Sequence, residues 1–152
     1  MKGSGQDDPT WAIAVEGKPS PMLQIALTAV CRSGGQPRVL PECNGDLCRW
    51  VRQVAEAVRR GPCRAAAVFC HDAGLASCIA NKVAGVRAAA VATVAQAARA
   101  LDQLGANVLV IEMAGRTYFE CKEMLRLCCQ GTAVCPDQVA CVLQELDGHA
   151  HR

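Results

Sequence analysis

Six apolar residues in a row, Ala65-Ala66-Ala67-Val68-Phe69-Cys70, end abruptly at a polar break, His71-Asp72-Ala73-Gly74. A run of that length with no polar alternation reads as a buried strand of a parallel sheet. Ser77 opens a brief helical segment that must stop near Gly85, and Val86-Arg87-Ala88-Ala89-Ala90-Val91 resumes an extended apolar run. Strand, tight loop, helix and strand in succession form the unit that sets a ligand at the carboxyl end of a parallel strand, over a helix N-terminus.

The same alternation runs through the rest of the chain. Trp11-Ala12-Ile13-Ala14-Val15 is a short apolar strand, and Glu16-Gly17-Lys18-Pro19-Ser20-Pro21 is a turn, since two prolines and a glycine continue neither element. Met22 to Arg32 is an apolar helix stopped by Ser33-Gly34-Gly35, and Arg38-Val39-Leu40 is a weak second strand before a loop from Pro41 to Gly45. Asp46 suits the N-cap of a helix in which Leu47, Val51, Val54 and Val58 recur at helical spacing, opposite Arg49, Arg52, Gln53, Glu56 and Arg59, until Gly61-Pro62 ends it. Thr93 can cap a helix striped by Val94, Ala97, Ala98, Leu101 and Leu104, which Gly105 stops. Asn107 to Ile111 is a buried strand, and Thr117 to Gln130 is a helix with Tyr118, Cys121, Leu125 and Cys128 inward. From Pro136 a last helix carries Val139, Val142, Leu143 and Leu146. Strand and helix alternating five times with short connections predict an α/β fold: a three-layer α/β/α sandwich around a five-stranded parallel, Rossmann-like sheet. One domain is expected over 11–148, with a disordered leader from Met1 to Thr10 and a frayed tail beyond Gly148.

Composition closes off several functions. Aromatic residues make up 3% of 152, so the core must come from Ala, Val, Leu and Cys, and small side chains let helix and sheet approach closely. A net charge of +2, with two Trp, one Tyr and two Phe, gives no argument for nucleic acid as a partner. No stretch approaches the ~20 apolar residues of a membrane span, and the N-terminus lacks the apolar core of a signal peptide, so a cytoplasmic protein is expected. Eleven cysteines occur without a single C-x-x-C or zinc-type spacing, which points to small buried hydrophobes rather than to a metal site or a disulfide framework.

Cys70, Ser77, Ala80-Asn81-Lys82, Gly85-Val86-Arg87-Ala88-Ala89 and Ala106-Asn107-Val108-Leu109 together resemble the core signature of the type B ribose-5-phosphate isomerases and the related galactose-6-phosphate isomerase subunits. The pattern aligns from Cys70 to Leu109 without a gap, and the family's members are of similar length. The resemblance implies the same α/β sandwich, no cofactor and no metal. It also implies a sugar phosphate interconverted between aldose and ketose through an enediolate, in sites lying between two subunits. The subunits would form a homodimer or a pair with a homologous chain. Cys70 takes the place of the catalytic base, and the amides from Ala73 to Ser77 take the place of the loop that holds the enediolate oxygen. A buried structural thiol is the other reading of Cys70.

The chain departs from that pattern where the chemistry is done. His71, Ala73 and Leu75 stand where the family has loop glycines, and Gly74 alone remains, off register. Glu16 and Gly17 replace an Asp-His pair; Glu16 then either handles the sugar or is a solvated turn residue. Gln103 and Leu104 replace the His-Asn pair of ring opening, and Glu112-Met113-Ala114 replaces G-A-R, leaving Arg116 nearby as a phosphate contact or a surface arginine. His149, His151 and Arg152 are a thin counterpart of the family's basic C-terminal segment. Asp72 is a candidate cap for the following helix, and Asn81 and Lys82 can be kept for fold reasons alone. The candidate site is therefore Cys70 as base, with Glu16, His71, Asp72, Ala73, Gly74, Leu75, Ser77, Asn81 and Gln103 around the substrate. Three functions stay open: an aldose-ketose isomerase, a non-catalytic relative acting as a partner subunit or sugar-phosphate-binding module, and, on cysteine number alone, a redox-sensing thiol protein.

Overall fold

The computed structural model describes residues 9–149. In chain order the elements are β1 (Trp11–Val15), α1 (Pro21–Gly34), β2 (Arg38–Val39), α2 (Leu47–Arg60), β3 (Ala65–Cys70), α3 (Ala73–Ala80), β4 (Ala88–Val91), α4 (Val94–Arg99), β5 (Val108–Glu112), α5 (Tyr118–Gln130) and α6 (Asp137–His149). All five strands are parallel, in the order β2-β1-β3-β5-β4. The α/β sandwich read from the sequence is the observed architecture. None of the described helices is long and apolar enough to cross a membrane.

Alternate residues of the strands feed two separate cores. Ala66, Val68 and Cys70 pack with Trp50, Val54 and Ala76 of α2 and α3, whereas Ala65, Ala67 and Phe69 pack with Leu23, Ala26, Met124 and Leu125 of α1 and α5. The period of two in strand side chains thus divides β3 between the layers. The alanines of β3 matter here, because a methyl group on each face lets helices approach the sheet closely enough to leave those positions at 0–2% exposure. The chain goes outward to β2 after β1 and to the other side after β3, so the sheet's switch point lies between β1 and β3.

Several boundaries differ from the sequence reading. α3 begins at Ala73, not at Ser77, because the Asp72 carboxylate accepts the Leu75 N–H at 3.0 Å and starts the helix four residues earlier. Val86 and Arg87 belong to a turn rather than to β4, with the Val86 N–H bonded to the Val83 carbonyl at 3.1 Å. Beyond Arg99 the fourth helix widens into a π-helical stretch, Ala100–Leu104, which Gly105 closes at φ +62°. Ala98 and Tyr118 are exposed rather than inward; at Tyr118 the helix is only starting, under a capping box made by Thr117 and Glu120. The last helix runs through Gly148 to His149, and none of its residues is buried, although an apolar stripe was read there. Most of the expected leader and the tail residues His151 and Arg152 lie outside the described residues. Thr10 accepts the Arg64 N–H at 2.9 Å and is thus tied to the start of β3.

Candidate functional site at the carboxyl end of the sheet

β1, β3 and β5 end side by side, with Val15 opposite Phe69 and Cys70 opposite Glu112. Glu16, His71 and Met113 therefore emerge together on the rim, at the switch point. Two main-chain bonds hold them there: Glu16 N–H to the Phe69 carbonyl at 2.8 Å and Met113 N–H to the Cys70 carbonyl at 2.9 Å. Strand parity then sends neighbours to opposite sides. Phe69 and His71 face a cavity of about 290 Å³, whose walls include Lys18, Ser20, Met113 and Cys121. Cys70 faces the other way, into the core shared with Ala73 and Ala76.

Cys70 is completely buried. Burial, the Glu16, Glu112 and Asp72 carboxylates around it, and only partial relief from the Asp72 N–H push its thiol up to about 12. At that value about one molecule in 10⁵ carries a thiolate at neutral pH. The rim cavity is lined by Phe69 and His71 on either side of Cys70 and not by Cys70 itself.

One of the donors meant for an enediolate oxygen, the Leu75 N–H, is taken by Asp72, and a second acid, Glu16, holds the neighbouring His71 N–H. Glu16 is not a solvated turn residue: its Oε2 accepts the His71 N–H at 2.9 Å. Asp72 takes the Leu75 N–H, and the Ser77 hydroxyl donates to the Gly74 carbonyl at 3.0 Å. Gly74 and Leu75 lie inside the first turn of α3 and form no separate loop. His71 and Asp72 are both exposed. Leu75, 43% exposed, projects from the rim.

Two nominated residues sit at the far end of the sheet. Asn81 accepts from the Ala88 N–H at 2.7 Å and donates to the Ala88 carbonyl at 2.9 Å, locking the end of α3 to the start of β4. Gln103 is exposed in the π-helical stretch that leads back to the start of β5. A parallel strand and its return helix separate both from Cys70 in the same chain. Arg116 is neither free nor fully exposed; it pairs with Glu120 at 3.3 Å. Lys18 and Ser20 line the rim cavity and were not among the residues nominated from the sequence. Their only signal was their place just after a strand in a turn that was read as a turn alone.

A family model described as ribose/galactose isomerase matches residues 40–128, more than half of the chain. The chain belongs to the ribose/galactose isomerase family. Solved structures of family members share the fold. The type B ribose 5-phosphate isomerase of Trypanosoma cruzi superposes with a TM-score of 0.74 at 20% identity, over 95% of this chain and 99% of that one. The ribose 5-phosphate isomerase of Thermotoga maritima gives 0.70 at 16% identity, over 91% and 97%. Ribose-5-phosphate isomerase B of Mycoplasma genitalium, solved with bound ribulose 5-phosphate, gives 0.74 at 19% identity, over 93% and 96%. Among curated protein sequences none matches.

Proposed function

We propose that this member of the ribose/galactose isomerase family binds a sugar phosphate without carrying out proton transfer through its own Cys70, and that it acts as a partner subunit to a second chain. The observation that carries the reading is the pair of carboxylates at the rim: Glu16 accepts the His71 N–H and Asp72 accepts the Leu75 N–H. An enediolate brought to these amides would meet two carboxylates, and like charges at close range disfavour it. A base that is a thiol at neutral pH removes the second requirement of the reaction.

Binding has better support than turnover. Lys18, His71 and Ser20 line one cavity beside the N-terminus of α1, an arrangement suited to a phosphate monoester. Arg116, at the same end, has a buried Nε with no partner among the described residues. Pairing also fits the surface. Val142 and Leu146 of α6 are 54% and 60% exposed, and a second subunit would cover them. Either a homodimer or a pair with a homologous chain meets that need, and Asn81 and Gln103 would then serve a neighbour's site rather than their own.

The test is an isomerase assay with ribose 5-phosphate, alongside calorimetric titration of the same sugar. Binding without turnover is expected, and Lys18→Ala weakens it. Turnover that Cys70→Ala abolishes would sink the proposal and restore Cys70 as the base.

A further inference from the structure

The outer face of α2 carries a row of arginines that the sugar-phosphate end does not use. Arg49 projects from its first turn, Arg52 from its middle, Arg60 from its last turn, and Arg38 reaches across from the start of β2; the four line an open cleft of about 570 Å³. All four are exposed. One carboxylate, Glu56, stands among them, with Arg60 at 3.3 Å from it. Arg49 lies 4.0 Å from Asp46, and both are largely in water, where such a pair holds weakly. Arg38 and Arg52 have no ion pair among the described residues. Folding has thus gathered onto one wall a charge that the chain-wide value of +2 averages away.

Shape and chemistry restrict what can lie on this wall. Arg49 to Arg60 spans ~16 Å of helix, more than one phosphate ester covers. The cleft has no aromatic wall residue, and Ala57 is its only apolar side chain. A protein partner would find no apolar anchor there, and a single strand would find no stacking platform. Guanidinium forks and the Gln53 amide match phosphate oxygens. We propose that this face of α2 binds the phosphate backbone of a double-stranded nucleic acid without reading its sequence. The face lies beside β2, at the sheet edge away from β4, and is distinct from the rim at Glu16 and His71. The inference departs from the expectation drawn from composition, which could not see segregation.

The test titrates the full-length chain with a fluorescent DNA duplex of about 20 base pairs at several salt concentrations. Three arginines free of Glu56 predict a slope of log K against log salt of about −2.7, hence a loss of about 40-fold between ~50 and ~200 mM salt. Arg52→Ala flattens the slope to about −1.8. Glu56→Gln frees Arg60, steepens the slope to about −3.6 and tightens binding. Arg52 is exposed and Glu56 half-buried, and unchanged melting curves confirm that the variants fold. Absence of binding at low salt, a slope that Arg52→Ala does not move, or preference for an acidic peptide, a single strand or inorganic polyphosphate overturns the proposal.

Discussion

Cys70 keeps its place in the family pattern inside a buried, acid-lined layer. It ends β3 opposite Glu112 and beside Glu16, so any thiolate would face three carboxylates in a dry layer. Alkylation at about pH 7.5 should label the exposed Cys48, Cys78 and Cys141 and spare Cys70, as read by peptide mass mapping. The same burial makes stability sensitive to alkali. Free thiols titrate at 9.0, whereas burial pushes Cys70 and Cys128 up to about 12. The unfolded chain therefore gives up protons that the native chain retains. Stability that is complete below pH 9 is lost as pH rises towards 12, by at most ~1.4 kcal/mol per pH unit for each thiol. Urea melts at two alkaline pH values would measure this, and Cys70→Ala should make the slope shallower, with Cys31, Cys63, Cys121, Cys128 and Cys129, all raised by burial, supplying the remainder. Glu16 is the counterpart residue. Glu16→Gln keeps an acceptor for the His71 N–H and removes a charge from the rim, so titration calorimetry should show sugar-phosphate binding strengthened several-fold.

At the scale of elements, the start of α3 decides what the rim can do. A glycine-rich loop would leave several amides converging on one point, but Asp72 captures the Leu75 N–H and winds Ala73 and Gly74 into a helical turn. Asp72→Ala should cost about 1 kcal/mol in chemical denaturation, the usual cost of a lost N-cap. The turn after α4 is a second such place. Gly105 has φ +62°, and a Cβ there would overlap the Val134 carbonyl. Gly105→Ala should therefore destabilise by more than the ~1 kcal/mol of left-handed strain alone, measurable as a drop in melting temperature. The sequence marked both elements, one by its cap and one by its stop. It placed the first helix start four residues late because Gly74 beside His71-Asp72 reads as loop chemistry until the cap bond is seen.

For the whole molecule, the unburied α6 is the face that the proposed pairing would cover. Its apolar residues cover none of the described core, yet Asp147 accepts the Gly85 N–H at 3.0 Å and holds the helix against the α3–β4 turn. Sedimentation of the proposed assembly should give a dimer or a larger species, and Leu146→Asp should shift it to the monomer with unchanged circular dichroism. The sequence by itself determined the layers: uninterrupted apolar runs such as 65–70 must be covered on both faces, and amphipathic segments between them have one face to offer. The family was equally legible, since Asn81, Arg87 and Asn107 hold together the turns around β4 and β5 through their own hydrogen bonds. What only the tertiary structure decided was which way the rim side chains point and that Arg38 joins the arginines of α2. Strand parity turns Cys70 away from the cavity that His71 lines, and folding brings Arg38 beside α2. Both depend on contacts between residues distant in the chain, which no local pattern encodes.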